Sequence, residues 1–586
     1  MFFVTKFAAL FKYWYVYLYL LLGVGFFAYF WGNATLYDEH GNFIVTHISL
    51  WGDWAVHFTM GSAMAYRKLF LETSPLLIGA QFNYPFVANM LSAVLIRMGA
   101  AFVMSFVMPS FLFCVALVFM LPTLYWRVFN RNTVIAILAS FIFLLNGGTG
   151  FIQYLEDVRD SETPWQTALN PPVEYTHLSE TQQIHWISVI NSQIIPQRAL
   201  TVGVPVSLLS LFLVYGSWFG AAQKKKLLLS RNAAIAAVLY GLLPIIHAHS
   251  FIAMTGILGC WAVAKLVRSY HQKLTVKQAT FPLVQFFALS ALLAVPLLFK
   301  FVVSNAGTDG FMKWYPGWYQ RDTPELSIIT FWFRNWSLTP ALALIGYLYG
   351  IKKSARSEKL QFAVLFLPFF VLFILANLFL FQPHAWDNTK LFLWVSVGFS
   401  GLAAYSIYSM YVATRRSSFP WVLRLAGTLT AMLLFISITI TGTIDNWRIL
   451  RFDLHTYQMY SAEELAVAEW VKTNTPADAV WLTGDQHNHW VYNLTGRQTM
   501  LVFRGWLWTH GYDYHEAETD LSLMFMNPSR YDLFEKYNVQ YAVVGPNERD
   551  VWKADEAEFL NRHELIWELD NQLVFKLRPA PKLGAN

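Results

Sequence analysis

The sequence predicts an α-helical polytopic membrane protein carrying a small extracytoplasmic α/β domain at its C-terminus. Three observations predict it. Hydrophobic residues make up 56% of the chain and charged residues only 13%, against about a quarter charged in soluble domains. Apolar runs recur along the chain, most of them near the roughly 20 residues that a membrane helix needs. From residue 444 onward, charged and polar residues return.

The apolar runs place membrane spans at 13–31, 133–146, 200–219, 228–246, 251–267, 281–303, 325–350, 361–380, 390–412 and 421–443. Stretch 85–125 is apolar throughout and is read as one full pass plus a half-helix. The total is about 11–13 crossings. Aromatic residues reach 17%, as interfacial belts and a lipid-facing surface require. Residues 13–31 lack a small-residue cleavage site and are followed by further spans, so they read as an uncleaved first helix. Cys114 and Cys260 lie in apolar stretches and read as small buried hydrophobes, with no disulfide framework.

Charge sets the expected orientation. Lys6, Lys12, Arg127, Arg131, Lys224 to Lys226, Lys265 to Lys277, Lys352, Lys353, Arg415 and Arg416 fall beside the spans or in short loops. Placing all of them in the cytoplasm lets the later spans alternate without conflict. The opposite face then receives loop 32–84, loop 147–197, His247-Ala248-His249, loop 304–324, Gln382 to Thr389 and the whole tail. The expected domains are therefore a transmembrane domain over 1–443, with its first extracytoplasmic loop at 32–84, and an extracytoplasmic α/β domain over 444–586. The net charge of +6 reads as these loop cations. No basic run interleaved with aromatics marks a nucleic-acid surface.

In the tail, Ser461-Ala462-Glu463-Glu464 reads as a capped helix running to about Lys472. Ala479 to Thr483 and Gln540 to Val544 read as buried strands, Tyr531 to Tyr537 as the helix before the second, and Leu565 to Leu577 as a hairpin.

The residues able to carry chemistry gather on the outer face. Trp51-Gly52-Asp53-Trp54-Ala55-Val56-His57 puts an acid between two tryptophans, with a histidine one helical turn on. Asp53 at the rim of an apolar cavity suits a base towards a hydroxyl; a helix cap with aromatic anchors is the bland account. Asp38, Glu39, His40 and His47 include enough ligands for a metal, in no known ligand spacing. A divalent metal, magnesium or manganese, stays open as a cofactor. His247 and His249 lie at an outer helix end, where polar residues are costly and tend to be functional. Two apart in a helix they do not face each other, so a shared metal needs an unwound turn; binding substrate hydroxyls or phosphate is the favoured role. Arg198, Lys300, Arg334 and Lys390 place cations at outer helix ends, against the positive-inside bias. A lipid-linked phosphate at that interface accounts for them; snorkelling, or pairing with Asp387 or Asp309, is the alternative. Arg504 to Tyr514, including Trp506 and His510, is dense in aromatics, glycine and polar tips, as a sugar-contacting loop or a packing loop would be.

With these residues in place, the arrangement resembles the GT-C superfamily of membrane glycosyltransferases, which includes oligosaccharyltransferase catalytic subunits, protein O-mannosyltransferases and the lipid A aminoarabinose transferase. Gly52-Asp53-Trp54 and Asn83-Tyr84-Pro85 stand where that pattern places its first-loop acid and the end of the loop. Glu469 to Val480 looks like the opening of the outside domain, and Tyr541 to Gly545 like its later strand. The Trp-Trp-Asp pattern of oligosaccharyltransferases is absent, so asparagine glycosylation is not expected. The adjacent Asp-Glu of O-mannosyltransferases is missing at 53–54, and Asp38-Glu39 lies further from the second span. The resemblance implies a sugar donor linked to a polyprenyl phosphate or pyrophosphate, and a glycan, lipid or protein acceptor. It implies inversion at the anomeric carbon with Asp53 as base or orienter. Arg198, Lys300 and Lys390 would neutralise the leaving phosphate, and His57, His247, His249, Asp387, Trp506 and His510 complete the expected substrate contacts.

Two other classes compete. A transporter or lipid flippase would favour paired repeats and broken helices at midplane; the chain shows no repeat, and its polar residues lie at one interface. A non-catalytic assembly factor would share every feature except activity. The expected location is the bacterial inner membrane, although the endoplasmic reticulum would give the same topology. There the sequons at Asn33 and Asn493 would matter.

Overall fold

A computed structural model describes residues 13–67, 72–220, 227–303, 312–356, 358–415, 420–569 and 571–579. Lys6, Lys12, Lys224 to Lys226, Asp309 and Arg416 lie outside the described residues. Among the described residues, eight helices are long and apolar enough to cross a membrane: Trp14–Asn33, Phe102–Val128, Arg198–Phe219, Ala248–His271, Val276–Val302, Lys359–Leu378, Ala385–Thr414 and Trp421–Arg448.

The remaining expected spans are built from shorter pieces. Stretch 85–125 divides into the 11-residue helix Val87–Arg97 and the 27-residue helix Phe102–Val128, the half-helix and full pass read from the sequence. The run at 325–350 is not one helix. Ser337 takes φ 49° and separates Ile328–Trp336 from Thr339–Lys353, a backbone break that hydropathy does not register. The run at 228–246 likewise divides into Arg231–Gly241 and Leu243–Ile246, with Pro244 opening the second piece, where its missing N–H is harmless.

The chain forms two compact units. The first comprises Met1–Gly32, Ser110–Leu298 and Met312–Phe452, and the second Asn33–Pro109, Phe299–Phe311 and Asp453–Asn586. In the first, Thr389–Thr414 is the central helix: it packs against Thr133–Leu145, Thr339–Lys353 and Lys359–Leu378. It is mostly buried because Ser396, Gly398, Ser400, Gly401, Ala403 and Ala404 are small enough to let neighbours approach.

In the second unit the tail forms a five-stranded sheet in the order Gln498–Thr499, Val480–Leu482, Val539–Val544, Gln572–Lys576, Glu564–Leu569. The first three strands are parallel and the last two antiparallel. Helix Ala462–Asn474 opens on a reciprocal cap, Ser461 Oγ accepting from Glu464 N and Glu464 Oε2 from Ser461 N. The first-loop strand Phe43–Val45 pairs with Tyr457–Tyr460, and helix Ile48–Tyr66 packs on Trp490–Thr495. Thr59 and Ser62 donate to the side chain and backbone carbonyls of Asn493 at 2.7 and 2.6 Å. Asn493 is fully buried, which removes it as a glycan acceptor in the folded chain.

Candidate functional site

In the first unit, five of the sequence-selected residues converge around the starts of three long helices. Arg198 is the first residue of Arg198–Phe219, His247 caps Ala248–His271, and Lys390 lies in the first turn of Thr389–Thr414. The three starts are tied together. A methyl on Gly203 would lie 2.6 Å from His247 Cβ, so the Arg198 helix is pressed directly onto His247. Trp394 Nε1 donates to Ser250 Oγ at 3.1 Å, joining the Lys390 helix to the His247 helix. Gln193, in the π-turn Val189–Ile194 just before Arg198, donates to Thr389 Oγ1 at 2.7 Å. The Lys390 ammonium is within electrostatic reach of both imidazoles.

The cluster combines two cations and imidazole groups with one carboxylate, Asp387. Arg198 is 2% exposed, with its Nε 3.4 Å from Ser110 Oγ. His247 Nδ1 accepts from Ser250 N at 3.3 Å and lies 2.8 Å from Ser250 Oγ. The neutral ring therefore carries its proton on Nε2 and is a donor there. Lys390 pairs with Asp387 at 2.8 Å, so the pairing weighed for it is present. Helix N-termini add partial positive charge and unsatisfied N–H groups. His247 itself takes an extended backbone, φ −160° and ψ 104°, between Leu243–Ile246 and Ala248–His271. That is the unwound turn a metal shared with His249 would need, and the two rings lie 5.6 Å apart. Among the described residues, however, no three His, Cys, Asp or Glu side chains come close enough to hold a metal ion.

In the second unit, Asp53 and His57 lie one turn apart on Ile48–Tyr66, Asp53 half-buried and His57 buried. His57 Nδ1 lies 3.0 Å from Asn89 Oδ1 on Val87–Arg97, an acceptor that places the ring proton on Nδ1. His487 from the tail stacks on Trp51 at 4.7 Å, hydrogen-bonds the Gly52 carbonyl, and meets Trp506 at 5.2 Å. Burial pushes the His487 imidazole below its usual pKa, against the pull of the Gly52 carbonyl. His510 lies 5.0 Å from Tyr84, which lies 6.4 Å from His57. Trp506 and His510 of the aromatic 504–514 segment thus connect to the Asp53–His57 helix through His487 and Tyr84. Lys300 is exposed in the π-turn Phe299–Val303, and the next residue, Phe301, packs on Phe82 and Phe86. Asp38 accepts from His40 N and Asn42 N and serves as a turn former. Arg334 Nη1 donates to Gln182 O at 3.0 Å and serves as a strap.

Several site-adjacent residues were not singled out in the sequence: Asn191, Gln193, Ser250, Trp394 and Asn89. The signal for two was present, since Asn191-Ser192-Gln193 interrupts the otherwise apolar run Val189 to Ile195. The Gln193 Oε1, both Asn191 amide atoms and His249 Nε2 are buried without a hydrogen-bond partner among the described residues.

Fold and cluster define a polytopic membrane protein with a buried set of cationic and neutral donors at converging helix starts. No family model matches the chain, and no curated protein sequence matches it. Solved structures do. The apo oligosaccharyltransferase of Archaeoglobus fulgidus aligns over 92% of this chain and 70% of its own, at 12% identity and a TM-score of 0.51. The archaeal oligosaccharyltransferase AglB from Archaeoglobus fulgidus, in complex with an inhibitory peptide and a dolichol-phosphate, aligns over 92% and 70% at 11% identity and a TM-score of 0.42. ArnT from Cupriavidus metallidurans bound to undecaprenyl phosphate aligns over 97% and 98% at 11% identity and a TM-score of 0.45. The first of these establishes a shared fold: this chain folds as that oligosaccharyltransferase structure does.

Proposed function

We propose that the protein is a membrane glycosyltransferase that moves a sugar from a polyprenyl-phosphate-linked donor to a glycan, lipid or protein acceptor on the extracytoplasmic face, with inversion. The observation that carries this reading is the convergence of Arg198, Lys390 and the Nε2–H of His247 at the starts of three helices. These three groups each offer a hydrogen or positive charge, and a phosphate, rich in acceptors and negative, is a complementary ligand for them.

In the proposed reaction an acceptor hydroxyl attacks the anomeric carbon, its proton passes to Asp53, and the bond from the anomeric carbon to the phosphate oxygen breaks. The lipid phosphate leaves with the electron pair. Arg198, His247 and Lys390 stabilise that charge where it develops, Asp387 orients Lys390, and Lys300 adds a further cation. His57 supports the acceptor beside Asp53, His249 contributes a buried imidazole to the donor side, and Trp506 and His510 contact the sugar. Orientation in the bacterial inner membrane, tail outward, belongs to the same proposal.

The test uses purified full-length protein in lipid nanodiscs. Binding of undecaprenyl phosphate is measured first, then turnover with a panel of polyprenyl-phosphate-linked sugars. Asp53→Asn is expected to keep binding and lose turnover by about 10²–10⁴-fold. Arg198→Ala is expected to lose binding. Unchanged turnover in Asp53→Asn removes the role of Asp53. Binding without turnover on any donor moves the protein to the assembly-factor class.

A further inference from the structure

In the first unit the chain after Thr133–Leu145 folds into two short helices, Phe151–Asp160 and Pro164–Leu169. They close on each other through Tyr154, whose hydroxyl donates to Ala168 O at 3.0 Å. One side of the pair is polar and turned onto the protein. Tyr175 donates to Asp157 Oδ2 at 2.6 Å, and Gln182 to Gln153 Oε1 at 2.6 Å. The other side is apolar and open. Ile152 and Leu155 share a face of the first helix and Trp165 and Leu169 a face of the second, and all four are exposed, Trp165 to 83% and Leu155 to 57%. Contiguous exposed apolar side chains mark a surface that something covers.

What covers it follows from where the pair is fastened. Trp447 Nε1 donates to Leu169 O at 2.9 Å, Arg451 Nη1 to the same carbonyl at 3.1 Å, and Arg448 Nε to Pro171 O at 3.1 Å. Trp447 lies at the end of Trp421–Arg448, whose exposed Leu425, Leu429, Leu433 and Ile436 recur every three or four residues. On a membrane-spanning helix that stripe faces lipid. Trp447, 45% exposed and in helical phase with that stripe, carries it to the end of the span, where its indole holds the second short helix, and Trp165 lies one turn before Leu169 on that helix; tryptophans gather at the boundary between headgroups and acyl chains. Arg159 follows on the same side as Ile152 and Leu155 and pairs with exposed Asp160 at 2.7 Å; its long stem lets the guanidinium stay among headgroups while the helix lies in the interface.

We propose that Phe151–Leu169 is an interfacial foot, lying in the plane of the bilayer with Ile152, Leu155, Trp165 and Leu169 seated at the headgroup–acyl boundary. The foot also meets the loop leading to the donor cluster. Tyr175 and Thr176, a few residues on, are clamped by the buried Asp445 carboxylate, and Thr176 Oγ1 accepts from Ser188 N at 2.9 Å, just before the Gln193 turn.

The experiment places nitroxide labels at Leu155→Cys, Trp165→Cys and, as a control, Glu162→Cys, in full-length protein with Cys114 and Cys260 replaced by alanine and reconstituted in phosphatidylethanolamine–phosphatidylglycerol nanodiscs. Collision with oxygen, which concentrates in acyl chains, is compared with collision with a water-soluble nickel chelate. Labels at 155 and 165 are expected to be oxygen-rich and nickel-poor, with the reverse at 162. Nickel access at 155 and 165 equal to that at 162 overturns the proposal, since the face would then lie in water. Shielding of both from both reagents also overturns it, because a protein surface would be the cover. These sites are exposed, so the labels leave the fold intact, and the readout is independent of any transferase activity.

Discussion

Lys390 Nζ lies 2.8 Å from Asp387 Oδ1, with the two side chains only 15% and 14% exposed. Leaving one partner of a buried pair alone strands a desolvated charge and costs about 3–5 kcal/mol. Lys390→Ala is therefore expected to lower the unfolding midpoint in detergent more than the double variant Asp387→Ala/Lys390→Ala does. Polyprenyl phosphate binding is expected to be lost in the single variant and not regained in the double. Recovery of both together would make the pair purely structural.

Glycines at the end of Thr133–Leu145 set a second prediction. A methyl on Gly148 would lie 1.7 Å from Arg334 O, and one on Gly150 1.9 Å from Tyr175 O, both backbone atoms that cannot swing aside. Gly148→Ala and Gly150→Ala are each expected to cost more than about 3 kcal/mol or to prevent folding. Gly256, with nothing within 4 Å of a methyl, is the control: in a helix interior, Gly256→Ala is expected to be neutral or stabilising by up to about 1 kcal/mol. Thermal unfolding of the three variants checks the contrast.

The third concerns acid. His185 stacks on Tyr319 at 4.4 Å and near-parallel. Burial first, and the neighbouring His177 second, push its pKa down from 6.5 to about 4. The unfolded chain binds a proton at this site below about 6.5 while the folded chain stays neutral until about 4, so stability is full above pH 6.5 and falls as pH drops through that window. His185→Phe, which keeps the stack, is expected to flatten that part of the stability–pH curve. An unchanged curve would remove His185 as its source.

In the tail, the buried Glu548 accepts from Gly484 N at 2.7 Å and Gly545 N at 2.8 Å and lies 3.6 Å from His489. Burial works against its charge, yet His489 and the Gly484 N–H hold the carboxyl below its ordinary pKa. Glu548→Ala strands two buried N–H groups, at about 1–3 kcal/mol each. Faster amide exchange at Gly484 and Gly545, with the membrane helices unaffected, is the expected outcome.

Much of this architecture was legible in the residues. Ser461-Ala462-Glu463-Glu464 named its own helix start, and the run Leu565 to Leu577, broken at Asp570-Asn571, marked the hairpin now seen as Glu564–Leu569 against Gln572–Lys576. The 85–125 stretch divided as read. The break at Ser337, the extended residue at His247 and the π-turn before Arg198 were not legible. Hydropathy averages over a window and is blind to one residue leaving helical φ and ψ.

For this chain, composition and charge order were enough to specify a many-helix membrane protein with a polar tail, because transfer from water to lipid is a property of each segment alone. Grouping was not available at that level. That Asn493 would clasp Thr59, and that the starts at Arg198, Ala248 and Thr389 would draw together, depends on hydrogen bonds and close packing between segments far apart in the chain. Such contacts exist only once the helices have chosen their neighbours.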